Sequence, residues 1–194
     1  TDPAAAGRFV ADQIVPTQTS QDAEIAAAAA TATKRVLYIL LRYKGDKQAP
    51  HGAAFYRALT NPTTGNASLG IPASINGFFD KTSWGRLQWH ADVVGVGGLT
   101  PTGWLTLPGT KAAYANCGWS GVCADLDKIG DDAMALVTGL GVDVSVYDNL
   151  SFVINNDLDC CAWGGSYFYA ANSKLYGATW EPPWGQETST YVHE

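Results

Sequence analysis

The stretch Arg35-Val36-Leu37-Tyr38-Ile39-Leu40-Leu41-Arg42-Tyr43 decides the fold. It is β-branched and aromatic, and Lys44-Gly45-Asp46 closes it. Its apolar residues are consecutive rather than alternating, which predicts a central strand buried on both faces, as in a parallel sheet covered by helices. Val36 to Leu41 is strand-sized and far short of the roughly 18 apolar residues of a membrane span.

Downstream, helical and strand patterns alternate. A short helix is expected from His51 to Leu59, then a loop rich in Asn, Thr and Gly. Pro72-Ala73-Ser74 starts a second helix whose Ile75, Phe78 and Phe79 share one face at i, i+3 and i+4. Gly85 ends it, and Leu87 to Val96 reads as a strand closed by Gly97-Gly98, with Trp104 to Leu107 as a short partner. The clearest helix is Ala124 to Leu140: Asp125, Asp127, Asp131 and Asp132 lie toward its positive end, and Gly139 and Gly141 stop it. Leu150 to Asn155 reads as another buried strand. Trp163 to Ala170 and Lys174 to Trp180 read as two more, and Gln186 to Glu194 opens a helix after Pro182-Pro183. The whole is α/β: a twisted, mostly parallel sheet with helices packed on it.

Upstream, residues 1–34 read as an arm or linker. Thr1 to Ser20 is polar, and Asp22 to Lys34 is an alanine-rich helix capped by Ser20 or Asp22. Residues 35–194 form the principal domain. The chain starts at Thr1 and its only methionine is Met134, so a processed or partial sequence is expected. The closing helix is shorter than a usual one and has no cap, so the chain is expected to continue past Glu194.

Across the 194 residues, 46% are hydrophobic and 15% charged, which excludes a disordered chain. Lys and Arg number 12 against 18 Asp and Glu, for a net charge of -6. With no basic stripe, nucleic acid is not an expected partner, and no membrane span is expected either.

Cys117, Cys123, Cys160 and Cys161 suit two disulfides better than four thiols or a zinc knuckle, whose spacing they do not match. Neighbouring Cys160 and Cys161 are expected to reach back to Cys117 or Cys123 rather than pair together, because bridged Cα atoms prefer about 5.5 Å or more. Asn66-Ala67-Ser68 and Asn149-Leu150-Ser151 fit the glycosylation sequon. Together these features favour a secreted or cell-surface protein.

Chemistry-bearing residues are few. His51 reads as a solvated loop side chain and His90 as a core or edge-strand histidine; neither has a partner at metal spacing. The run Asn155-Asn156-Asp157-Leu158-Asp159 reads as a hydrogen-bonded turn, with calcium the weaker alternative because an EF-hand's Gly and terminal Glu are missing. Trp180 and Trp184 are candidates for contact with peptide or carbohydrate, against the commoner core role. No G-x-S-x-G elbow is present, which disfavours a Ser-His-Asp enzyme. His193-Glu194 stands out by its setting. It closes a helix entered from a strand through Pro-Pro-Trp-Gly, where an H-E-x-x-H zinc helix would begin.

This order of features resembles the secreted zinc metallopeptidases of the gametolysin and immune-inhibitor-A type, within the metzincin group. The resemblance rests on the opening strand, Phe78-Phe79-Asp80-Lys81-Thr82-Ser83-Trp84-Gly85-Arg86-Leu87, the Asp-rich helix, Leu150 to Asn155, Trp163-Gly164-Gly165 and the final T-x-x-H-E. It covers roughly residues 35 to 194. By it, His193 is the first zinc ligand and Glu194 the general base; the remaining ligands would lie beyond residue 194. It also implies an edge strand that pairs with an extended protein or peptide substrate, for which Trp163, Gly164, Gly165 and Ser166 are the candidates. As given, the chain has one ligand where a catalytic zinc takes three, so activity would need the remainder of its own chain. The alternative is a non-catalytic secreted module for matrix or cell-surface adhesion or assembly, since a fold does not dictate its use.

Overall fold

The computed structural model describes residues 31–94, 103–115 and 123–194, all within the unit Thr31–Glu194. Among the described residues six strands form one sheet: β1 (Ala32–Arg42), β2 (Leu87–Val93), β3 (Leu105–Thr106), β4 (Asn149–Ile154), β5 (Trp163–Tyr169) and β6 (Lys174–Glu181). Its order is β2-β1-β4-β6-β5, and β3 pairs with the end of β1. All pairings are parallel except β5 with β6, a hairpin that places a reversed strand at one edge. No helix among the described residues is long and apolar enough to cross a membrane.

The consecutive apolar run of β1 is explained by its place between β2 and β4. Leu37, Ile39 and Leu41 enter one core, while Val36, Tyr38 and Leu40 enter the other. On the first face lies α3 (Leu126–Gly139), whose Ile129, Ala133, Met134 and Val137 are fully buried. Asp125 caps it by accepting from Lys128 N at 3.0 Å, and Gly141, at φ +76°, turns the chain after it. The opposite face holds α1 (Ala53–Thr60), α2 (Ile75–Thr82) and α4 (Thr188–His193). Ser74 caps α2 through Gly77 N at 3.0 Å.

Several expectations need correction. β1 begins at Ala32, not Arg35, because Ala32 already pairs with Leu87; Thr31 to Lys34 therefore do not extend the alanine-rich helix, whose remainder lies outside the described residues. Gly97-Gly98 and Cys117 also fall outside them. Cys160 and Cys161 form a disulfide with each other, contrary to expectation, with Cα atoms 3.8 Å apart. That is simply the spacing across a trans peptide, and the ring closes at it. Cys123 is itself disulfide-bonded. His51 is half-buried, not solvated: its ring stacks on Phe55 with centroids 3.7 Å apart, and burial lowers its pKa. Trp180 lies in the core, stacked on Phe152, which leaves Trp184 alone exposed of the two proposed ligand contacts.

Candidate functional site at the end of the last helix

The β4-β6-β5 half of the sheet has two unlike faces. Toward α3 it presents Phe152, Tyr167, Tyr176 and Trp180. Strand alternation turns Ser151, Gly164, Ser166, Gly177 and Thr179 to the other face. Side chains this small let a helix approach the sheet closely. The end of α4 arrives on that face, over a cavity of about 300 Å³ lined by Ser151, Gly165, Thr179, Tyr191, His193 and Glu194.

α4 is aimed by the turn that precedes it. β6 ends at Glu181, and Pro183–Gly185 forms a single 3-10 turn. Gln186 is buried and anchors this turn to three elements. Its Nε2 donates to Ile154 O of β4 (3.0 Å) and Glu181 O of β6 (3.3 Å), and its Oε1 accepts from Tyr56 of α1 (2.6 Å). Tyr191 then meets the Tyr38 ring edge-on at 5.5 Å. Burial holds the hydroxyls of Tyr38, Tyr56 and Tyr191 well above their ordinary pKa, so this packing layer stays neutral.

Two of the residues singled out from the sequence, His193 and Glu194, share the cavity with Gly165. Glu194 also lies directly against Gly164. Ser166 stands on the same face, exposed. The side chain of Trp163 does not: it packs toward the α3 core, and its indole donates to Asp159 at 3.4 Å.

The two outer edges of the sheet differ in kind. That of β2 is closed by side chains that imitate a neighbouring strand. Asn61 accepts from Ala91 N (2.6 Å) and donates to Ala91 O (3.0 Å), while Asn76 accepts from Trp89 N (2.8 Å). Among the described residues no strand or side chain bonds the outer backbone of β5. An unpaired edge of this kind is a template for another extended chain.

Sequence reasoning missed Glu181, which has no exposed surface and, among the described residues, no partner for either carboxylate oxygen. It lies beside Gly185 and Thr190 under α4. Burial, with Glu194 adding repulsion, raises its pKa to about 8. Only its position before Pro182 is visible in the sequence, and that says nothing of burial.

The turn from Asn155 to Asp159 does structural work. Asn155 accepts from Tyr43 N (3.2 Å) and donates to Gln48 O (3.1 Å), and Asn156 donates to Asp46 at 2.9 Å. Asp159 accepts from the amides of Cys123, Ala124 and Cys160; burial opposes ionisation, but these bonds hold its pKa below the ordinary value. Its oxygens are thus engaged by backbone.

His193 is the one metal-type ligand on α4, and no group of three His, Cys, Asp or Glu among the described residues is placed to hold a metal. In comparison with known proteins, no family model matches the chain and no curated protein is similar enough to count as a relative.

Proposed function

We propose that this chain is the N-terminal, substrate-holding half of the catalytic domain of a secreted zinc endopeptidase, similar to the gametolysin and immune-inhibitor-A type. The observation that carries this reading is the meeting of Glu194, next to His193, with Gly164 at the free antiparallel edge of an otherwise parallel sheet. An edge strand beside His193-Glu194 is what the resemblance drawn from the sequence implies, and β5 lies at a sheet edge.

The residues described supply only His193 of the three protein ligands a catalytic zinc takes. The reading therefore requires two more from outside them, and further turns of α4 across the small-residue face would bring a histidine at i+4 to the same side. Such a zinc would act as a Lewis acid on the scissile carbonyl and its bound water. The chain's own residues have defined parts. The outer backbone of β5 takes the peptide by strand addition, and the absence of a side chain at Gly164 lets that strand lie close to the end of the helix. Glu194 accepts the water proton and returns it to the leaving amine.

The test uses the full-length protein with zinc and an unstructured protein such as casein. Cleavage blocked by 1,10-phenanthroline, and reduced about 10²–10⁴-fold by Glu194→Gln, is the expected result. Absence of cleavage by zinc-loaded protein, or cleavage indifferent to both treatments, overturns the reading. Binding to extracellular matrix without hydrolysis would favour the adhesion module instead.

A further inference from the structure

We propose that Cys160–Cys161 is a thiol–disulfide exchange site which takes electrons from a small dithiol, and whose reduction loosens the start of the free edge strand β5. A disulfide stabilises a fold chiefly by shortening loops in the unfolded chain, and more so for longer loops. Between adjacent residues there is no loop to close. This bridge therefore contributes next to nothing as a staple, and what it does is local: it locks the peptide between residues 160 and 161. Cys160 is exposed and Cys161 half-buried, so an attacking thiolate can reach the bond without the domain opening. Exposed disulfides outside the core are the ones most open to exchange.

The local lock is wired to β5 through Asp159. One carboxylate oxygen accepts from Cys160 N (2.6 Å), Cys161 N (3.4 Å) and the indole of Trp163 (3.4 Å), the first residue of β5. The other accepts from Cys123 N (2.8 Å) and Ala124 N (3.2 Å), ahead of α3. Ala162, between the disulfide and β5, is buried and faces the space beside Gly185 next to Glu181. Freeing the 160–161 peptide thus releases two of the bonds that orient Asp159, and with them the hold on Trp163.

The chemistry is a two-electron exchange. A thiolate of the dithiol attacks Cys160 Sγ, the S–S bond breaks, and Cys161 leaves as thiolate and takes a proton. The second thiol of the reagent then displaces Cys160, which takes the other proton, and the reagent becomes a cyclic disulfide. This proposal stands independently of any peptidase activity.

The experiment is stepwise reduction of the folded protein with dithiothreitol, trapping with iodoacetamide, peptide mapping and amide hydrogen exchange. Cys160 and Cys161 are expected to be alkylated together while Cys123 stays protected and β1 exchange is unchanged. Phenylarsine oxide, whose arsenic bridges two neighbouring thiols, is expected to add to the reduced protein only. Exchange over residues 163–167 is expected to quicken about tenfold on reduction. Cys160→Ser with Cys161→Ser should show the faster exchange with or without reductant. A map joining Cys160 to another cysteine, alkylation only once β1 exchange collapses, or β5 exchange that ignores reduction would overturn the proposal.

Discussion

Glu194 lies over Gly164 so closely that a Cβ added at residue 164 would come within 2.6 Å of Glu194 Cβ and 2.7 Å of its Cα. Real carbon atoms do not approach to that distance, so the contact between α4 and β5 exists only because residue 164 has no side chain.

Gly164→Ala is therefore expected to push the end of α4 away from the edge strand. The stability cost should be modest, about 1–2 kcal/mol in urea unfolding, because a helix end can shift. On the proposed peptidase reading, hydrolysis by the full-length protein should suffer more, by about 100-fold, since a small misplacement of Glu194 would be costly. Gly165 has open space around its Cα, so Gly165→Ala is the control and should change stability little. Equal effects at the two positions would contradict the close-approach argument.

Glu181 makes stability depend on pH with a definite sign. Its folded pKa of about 8 lies above the ordinary 4.5, so the folded state binds the proton more tightly than the unfolded one. The stabilising contribution is complete below pH 4.5 and is lost as pH rises toward about 8. Glu181→Gln keeps the shape without the ionisation. It should flatten this decline and raise stability at pH 8 by on the order of a few kcal/mol, read from urea midpoints across the range. A variant whose pH profile parallels the native protein would refute it.

Asn61 stands in for a missing strand beside β2. Asn61→Ala removes both bonds to Ala91 and leaves that backbone amide and carbonyl without their partner. A loss of about 1–3 kcal/mol is expected, together with concentration-dependent self-association seen by light scattering, because an unprotected edge invites pairing. Asn61→Asp, which can accept from Ala91 N but not donate to its carbonyl, should fall between.

The two glycosylation sequons are not equivalent. Asn66 sits, half-buried, in a surface turn whose next residues are exposed, and Ser68 Oγ donates to its Oδ1 at 2.7 Å. Asn149 begins β4 between β1 and β6, its amide lies against Gly177, and Ser151 is buried. Expressed through a eukaryotic secretory route, the protein should carry a glycan at Asn66 and none at Asn149. Peptide-N-glycosidase treatment in heavy-oxygen water, which marks the released asparagine, reads the site directly.

The elements were legible where the pattern is local. The double-faced burial of β1, the helix start at Pro72-Ala73-Ser74, the acidic opening and glycine stop of α3 and the succession of β5 and β6 are all written in residues near one another. Helix α1 starts at Ala53 instead of His51, and the strand expected to run to Val96 ends at Val93, within the usual play of element boundaries. His193-Glu194 was found because its helix follows a Pro-Pro turn. Its neighbours Gln186 and Glu181 were not, since a buried polar side chain looks like a surface one in a linear chain.

What the sequence determined by itself was the alternation of strands and helices, the mostly parallel character of the sheet and the helix that ends in His193-Glu194. Hydrophobic period, capping residues and turn residues act over a few positions, so they can be read without coordinates. Only the tertiary structure decided which sheet edge is closed by Asn61 and Asn76 and which stays open at β5. It alone paired Cys160 with Cys161, buried Glu181 without a partner and set Glu194 against Gly164. Most of those relationships join residues that the chain brings together only when the sheet is assembled, and no local propensity encodes them.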